Sequence, residues 1–297
     1  MQWVELRHEG AAPLPSTVRR VSRLWLSVGR WALTAFVLVY FATVLLSPIG
    51  ALAVETARVG VARAVTAVFA TGALAALRMS FILVVVAVGI NAVIGTYGAI
   101  AIVRHRFVGR HLVSALCDLP LAVSPVMVGL GFLLLVGRDG AFSPALETIG
   151  LKVLFSFPGL VIATLFVTLP YTVREVVYVL DEIGTSEEEA AVTLGASPWQ
   201  TFWRVTLPNV RLGLGYGLLM TIARTLGEFG AVLVLGGSIS GQTQTATTFI
   251  HDAIEERELA GAYGMAAVLA IASVALLLIL ERAKRRRHAQ SAFRKSP

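Results

Sequence analysis

The sequence predicts an all-α protein, a polytopic transmembrane helical bundle of about six spans, on three observations. The 297 residues are 56% hydrophobic, with a mean hydropathy of +0.77. Only 14% are charged, against about 25% in soluble domains. Six apolar stretches approach the roughly 20 residues that a helix needs to cross the hydrocarbon core. They run approximately 31–50, 79–103, 112–136, 153–172, 212–236 and 259–280.

Taken in order, residues 1–76 are expected to hold an N-terminal cytoplasmic segment, the first span and an outer amphipathic segment. Arg7, Arg19, Arg20, Arg23 and Arg30 precede the first span. Ala51-Leu52-Ala53 imitates a signal-peptidase site, but the apolar run is long for a leader, so a retained anchor is expected. Glu55, Arg58 and Arg63 are spaced along 51–78 as on an amphipathic surface helix, with a plain connector as the alternative. Residues 77–281 form the transmembrane core. Residues 282–297 are a basic cytoplasmic tail that anchors topology against anionic lipid.

The net charge of +7 raises the question of nucleic acid. The basic residues lie at span ends and in the tail rather than on one face, so no nucleic-acid partner is expected and membrane lipid is. With the N-terminus inside, 18 of the 25 Lys and Arg fall on the cytoplasmic side. Arg58, Arg63, Arg78, Arg138, Lys152 and Arg257 fall outside, and Arg224 lies within a span. Both termini are therefore expected in the cytoplasm. The single cysteine, Cys117, excludes an internal disulfide and reads as an inert buried thiol.

The same orientation places 173–211 as the largest internal loop. Ser186 and Glu189 have capping-box spacing, and Glu187, Glu188 and Glu189 suit the positive end of a helix. Ala190, Ala191 and Leu194 make a small apolar face, and Gly195 suits a left-handed stop. Ser197-Pro198-Trp199-Gln200 is a second capping box with proline at N1. Trp199, Phe202 and Trp203 share a face. Pro208 is expected to end this second helix. Two short helices with an apolar cytoplasmic surface fit a partner surface, or aromatics lying in the membrane interface.

Glu189-Ala190-Ala191, Gly195 six residues after Glu189, and Val205-Thr206-Leu207-Pro208 resemble the EAA loop of ABC-importer permeases, with Val205 where that family has Ile. The stretches "FPGLVIATLFVTLPYTVREVVYVLDEIGTSEEEAAVTLGASPWQTFWRVTLPNV" and "ARTLGEFGAVLVLGGSISGQTQT" extend the likeness over roughly 77–281, specifically to sulfate/thiosulfate permeases of the second type, then to molybdate and tungstate permeases. The resemblance implies the binding-protein-dependent ABC importer permease fold in the plasma (inner) membrane. It implies coupling helices over 186–208, where Glu189, Ala190, Ala191, Gly195, Trp199, Phe202, Trp203, Leu207 and Pro208 meet an ATPase. The implied partners are a homologous permease in a heterodimer, two cytoplasmic ATPase subunits and an extracytoplasmic anion-binding protein. ATP and Mg would sit on the ATPase, with no cofactor bound by this chain. The cargo implied is a tetrahedral oxyanion, sulfate or thiosulfate before molybdate or tungstate.

No G-x-x-x-x-G-K-[ST] precedes any lysine, and no Ser/His/Asp set falls in a plausible pocket, so a transport subunit is expected rather than an enzyme. A self-sufficient secondary anion transporter is the competing class; it predicts internal repeats, which the sequence does not display. Within the fifth span Arg224 and Glu228 are four apart, expected on one helical face. They read either as a structural ion pair or as a charge offered to a passing anion. Gly227, Gly230, Gly236, Gly237 and Gly241 are expected to allow close backbone approach nearby. In "GGSISGQTQTATT", Thr243 and Thr245 would line an outer gate or sit in a solvated turn. Pro120 and Pro125 are expected to kink the third span.

Overall fold

The computed structural model describes residues 16–138 and 140–294, with side chains over 30–138 and 140–282. Expectations for residues 1–15, the arginines before Arg30 and the side chains of the tail lie outside these. Among the described residues there is no strand. The chain divides into two units, Met1–Val54 and Glu55–Pro297.

Thirteen α-helices follow one another among the described residues: α1 (Ser16–Val59), α2 (Val61–Val68), α3 (Thr71–Arg104), α4 (Arg110–Ala122), α5 (Pro125–Val136), α6 (Ser143–Thr148), α7 (Phe157–Ile183), α8 (Ser186–Thr193), α9 (Pro198–Thr201), α10 (Leu207–Leu226), α11 (Gly230–Gly236), α12 (Ala246–Glu255) and α13 (Leu259–Arg294). Four stretches are long and apolar enough to cross a membrane: Arg30–Val59, Thr71–Arg104, Phe157–Ile183 and Leu259–Arg282. Two bent pairs raise the number to six if each counts as one span.

The bent pairs bear out one expectation, a proline kink in the third span, and correct another, an unbroken fifth span. The third span is two short helices, α4 and α5, at 114°. Each is only about 20 Å long at 1.5 Å per residue, short of a 30 Å hydrocarbon core. The cause is Pro125, which has no N–H to give α4 and holds Ser124 extended (ψ 135°). Pro120, by contrast, is accommodated inside α4. The fifth span breaks by 61° between α10 and α11, at Gly227–Phe229. The fourth runs from Phe157 to Ile183, later and longer than the 153–172 expected.

Lipid tails are as apolar as leucine, so helices associate there through close packing and hydrogen bonds rather than by escaping water. The centre of the second unit follows that rule. α7 is gripped by α3 and α10 through glycines: a Cβ at Gly217 would stand 2.9 Å from Thr172 Cα, and one at Gly95 2.7 Å from Thr172 Cγ2. Hydroxyls pair at the same depth. Asn91 Nδ2 donates to Thr168 Oγ1 at 2.8 Å, and the Thr172 and Thr221 hydroxyls meet at 3.1 Å. In the first unit the apolar side chains of 30–54 are exposed almost throughout, as a lipid-facing helix requires.

Candidate functional site

The loop between α7 and α10 is built as a bent frame. Gly184 (φ +72°) stops α7. The expected box at Ser186 is displaced: Thr185 is the N-cap, and its hydroxyl donates to Glu189 Oε1 at 2.6 Å instead of accepting a backbone N–H. A charged carboxylate attracts the hydroxyl proton more strongly than a neutral acceptor would. α8 then closes in a Schellman turn, with Gly195 N–H donating to Val192 O and Ala196 N–H to Ala191 O. Gly195 has φ +84°, and a Cβ there would meet nothing within 4 Å, so the backbone conformation alone calls for glycine. The second capping box forms as expected, with Gln200 N–H donating to Ser197 Oγ and Ser197 N–H to Gln200 Oε1.

Pro208 does not end the second helix. The chain stays helical from Pro198 to Leu226, passing through a widened π turn at Phe202–Thr206 in which Leu207 N–H reaches Phe202 O. The wide turn precedes the residue that has no N–H, so the missing donor and the ring are absorbed without breaking the helix.

An ion-pair lock ties this frame to the bundle. Arg104, at the end of α3, donates through Nε to Glu188 Oε2 at 2.8 Å and through Nη2 to Gly184 O at 2.7 Å. Glu188 Oε1 accepts from Thr206 Oγ1 at 2.8 Å. The Arg104 and Glu188 side chains are only 14% and 20% exposed, so this pair is better shielded than a surface salt bridge. The Glu188 carboxylate thus joins α8 to α3 and the π turn, and the Arg104 guanidinium adds the end of α7. In a second pair, one edge of the Arg174 guanidinium donates through Nε to Asp118 Oδ1 and through Nη2 to Asp118 Oδ2, and Nη2 also donates to Ser114 O at 2.8 Å, joining α7 to α4. Arg224 and Glu228 are therefore not the only opposed charges within the spans.

The frame presents an apolar patch beside the exposed charges of Glu187, Glu189 and Arg204. Leu194, Trp199, Val192 and Trp203 are exposed, Leu194 at 88%. Trp199, Phe202 and Trp203 are in mutual ring contact at 5.3–6.1 Å. Phe202 stacks on Tyr97 of α3 at 5.6 Å, which fixes the trio from behind. Glu189, Ala190 and Pro208 are exposed, while Ala191 and Leu207 are half-buried.

At the other break, Arg224 Nη1 lies 2.6 Å from Glu228 Oε2. The pair does not share a helical face, because α10 ends at Leu226 and Glu228 stands in the break. Glu228 Oε1 accepts from Ala231 N–H at the start of α11, and its carbonyl accepts from Thr247 Oγ1. The 237–248 segment turns through exposed residues at 239–242 and is then knitted into the bundle from Thr243 on. Thr243 Oγ1 donates to Gly236 O at 2.6 Å, Thr245 caps α12, and Ala246 N–H donates to Ser80 Oγ. Thr243 and Thr245 are buried at 1% and 3% exposure. Of the glycines around this break, Gly230, Gly236 and Gly237 meet neighbours closely, while Gly227 and Gly241 do not.

The Arg104–Glu188 lock was not visible in the spacing, since its partners are 84 residues apart. Its only trace in the sequence is that Arg104 closes a span and Glu188 opens the loop; in sequence they read as a topology charge and a dipole charge. Cys117 is half-buried and packs against the core of α3, α7 and α10.

Comparison with known proteins adds an independent line. The family described as binding-protein-dependent transport system inner membrane component matches residues 91–287. Sulfate transport system permease protein CysW of Synechocystis is 42% identical over 252 residues, covering 85% of this chain and 91% of that protein. Sulfate transport system permease protein CysT of Escherichia coli K12 is 34% identical over 240 residues, 81% of this chain and 87% of that one. Among solved structures, a chain of a bacterial alginate ABC transporter in complex with its alginate-bound periplasmic protein superposes with a TM-score of 0.73 at 20% identity, over 89% of this chain and 98% of that one.

Proposed function

This chain belongs to the family of binding-protein-dependent transport system inner membrane components, and we propose that it is the permease subunit of an ATP-driven importer of sulfate or thiosulfate. The observation that carries the cargo is the likeness to sulfate permeases over more than four-fifths of the chain. Likeness to the alginate transporter supports the fold but not the cargo.

A homologous permease completes the pathway, a binding protein delivers the anion from outside, and two ATPase subunits supply ATP and Mg from the cytoplasm. The exposed Leu194, Trp199 and Trp203 fit a groove on the ATPase. Each buried aromatic of this kind contributes about 1–3 kcal/mol to such a contact. Motion of the ATPase then reaches the spans because Glu188 holds α3, α7 and the π turn together through Arg104, Gly184 and Thr206. Alternating access follows from rocking these packed helices as a body. Arg224 offers a positive charge to the passing anion. Glu228 offsets part of that charge, so the anion is not held. Thr243 and Thr245 shape the break at the outer side.

The test is uptake into proteoliposomes carrying this chain, its companion permease and the ATPase, with the binding protein supplied on the side from which the anion enters. Sulfate should enter only with ATP, and faster than molybdate at equal concentration. Preference for molybdate would reassign the cargo. Sulfate uptake that persists without the ATPase would make this a secondary transporter.

A further inference from the structure

One group of arginines is left over by the transport reading. Six Lys and Arg fall on the side that charge bias assigns to the exterior. Three of those six, Arg58, Arg63 and Arg257, line one cavity of about 690 Å³. A membrane face depleted in positive charge has gathered half of what it has around one hollow.

The cavity sits where spans begin and end. Arg58 is in the last turn of the span Arg30–Val59, Gly72 and Ala73 open Thr71–Arg104, and Leu259 opens Leu259–Arg282. Glu256, Arg257 and Glu258 stand directly before the apolar run that Leu259 opens. Charged residues are costly in the hydrocarbon core, so this end of the helix lies at headgroup depth. The lining matches that depth. Phe249, Leu259 and small Ala and Gly residues share the lining with the three arginines.

The charges are available. Arg58 pairs with Glu55 at 2.7 Å, and Glu258 is on the rim. Arg63 and Arg257 have no ion-pair partner among the described residues. Arg257 also holds a strained backbone, φ +63°, at the end of α12. Glycine would occupy that position with less strain. An unstrained residue could close the turn, so the turn itself does not require an arginine.

We infer that this cavity binds the phosphate of an anionic phospholipid, with the forks of Arg63 and Arg257 on the phosphate oxygens and Phe249 and Leu259 against the glycerol and upper acyl chain. Guanidinium matches phosphate geometry with paired hydrogen bonds. The site depends only on membrane embedding, not on the cargo, so failure of sulfate uptake would leave it standing.

Native mass spectrometry of the full chain, purified with its companion subunits in mild detergent, tests it with dioleoyl phosphatidylglycerol against dioleoyl phosphatidylcholine. Phosphatidylglycerol should bind and phosphatidylcholine should not. Each lost arginine should weaken binding roughly fivefold, about the 1 kcal/mol per basic residue seen near anionic lipid. Arg63→Gln should thus lose about fivefold and Arg63→Gln with Arg257→Gly about 25-fold. Arg257→Gly relieves the turn, so that variant folds. Arg78→Gln, on the same side but outside the cavity, should bind as the parent does. Equal binding of both lipids, loss under twofold in the double variant, or equal loss in Arg78→Gln would overturn the site. Displacement of the lipid by millimolar sulfate would make it a free-anion site instead.

Discussion

Helices α8 and α12 end with the same hydrogen-bond pattern on different residues. In α8, Gly195 and Ala196 donate to Val192 O and Ala191 O; in α12, Arg257 and Glu258 donate to Ile254 O and Ala253 O. Both turns need a left-handed residue, φ +84° at Gly195 and φ +63° at Arg257. The first uses the residue that adopts this conformation without strain. The second uses one that does not. The α8 turn sets the angle at which Leu194, Trp199 and Trp203 are shown. The α12 turn carries a guanidinium that lines the cavity described above. One end of the bundle shows Leu194, Trp199 and Trp203 on a frame held by the shielded Glu188; the other buries Thr243, Thr245 and Thr248 and turns guanidinium groups outward.

The largest effect should come from attacking the shape. Gly195→Pro cannot reach φ +84°, because the ring fixes φ near −65°. The two short helices then lose their mutual angle. ATP-driven uptake should fall more than about tenfold, since a misplaced element commonly costs that much or more. Membrane insertion, read by size-exclusion chromatography of the solubilised complex, should be unchanged. Trp203→Asp should act alike by removing apolar contact rather than geometry. Full-rate uptake in either variant would show that the surface is not the point of coupling.

The lock behind that surface comes next. Glu188→Gln keeps the shape and removes the charge, leaving the Arg104 guanidinium without its counter-ion. A shielded charged hydrogen bond is worth about 1–3 kcal/mol. Uptake should drop roughly tenfold while ATP hydrolysis persists, the mark of a linkage that slips. Arg104→Lys should not rescue, because a single ammonium cannot reproduce the fork that meets both Glu188 and Gly184. Uptake and hydrolysis falling in proportion would indicate plain misfolding of the loop instead.

The difference between the two ends also explains what was legible in the sequence. The α8 and α9 caps, the glycine stop and the aromatic face are local patterns of three to six residues, and the sequence predicted most of them. The passage of helix through Pro208 was not, because the π turn absorbing it depends on Tyr97 and Glu188 holding Phe202 and Thr206 from other helices. The six apolar stretches were legible by length, and Pro125 announced a kink in the third, but hydropathy has no direction, so the 114° size of that break was not legible. Arg224 and Glu228 were paired by spacing, yet through a helix end rather than along a face. The Asp118–Arg174 and Arg104–Glu188 pairs join residues 56 and 84 apart, beyond any periodicity.

Arg224→Gln separates the two readings of that charge pair with a smaller effect. Glu228 keeps its contacts with Ala231 N–H and Thr247, so assembly should survive. Sulfate uptake should fall about fivefold, equivalent to roughly 1 kcal/mol of transition-state stabilisation. Normal uptake with normal assembly would leave the pair purely structural.

The smallest effects return to the two turns and are the sharpest test of why they differ. Gly195→Ala adds a Cβ that meets nothing within 4 Å, so the whole cost is that of a left-handed alanine, about 1 kcal/mol. Arg257→Gly removes the same strain from the same turn and should stabilise by about the same amount. The thermal midpoint of the solubilised complex should therefore move down in the first variant and up in the second. A rise accompanied by weaker phosphatidylglycerol binding shows strain held for a ligand. A fall in Arg257→Gly would mean that the side chain stabilises the fold more than its backbone strains it, and the arginine would then be a structural residue like any other.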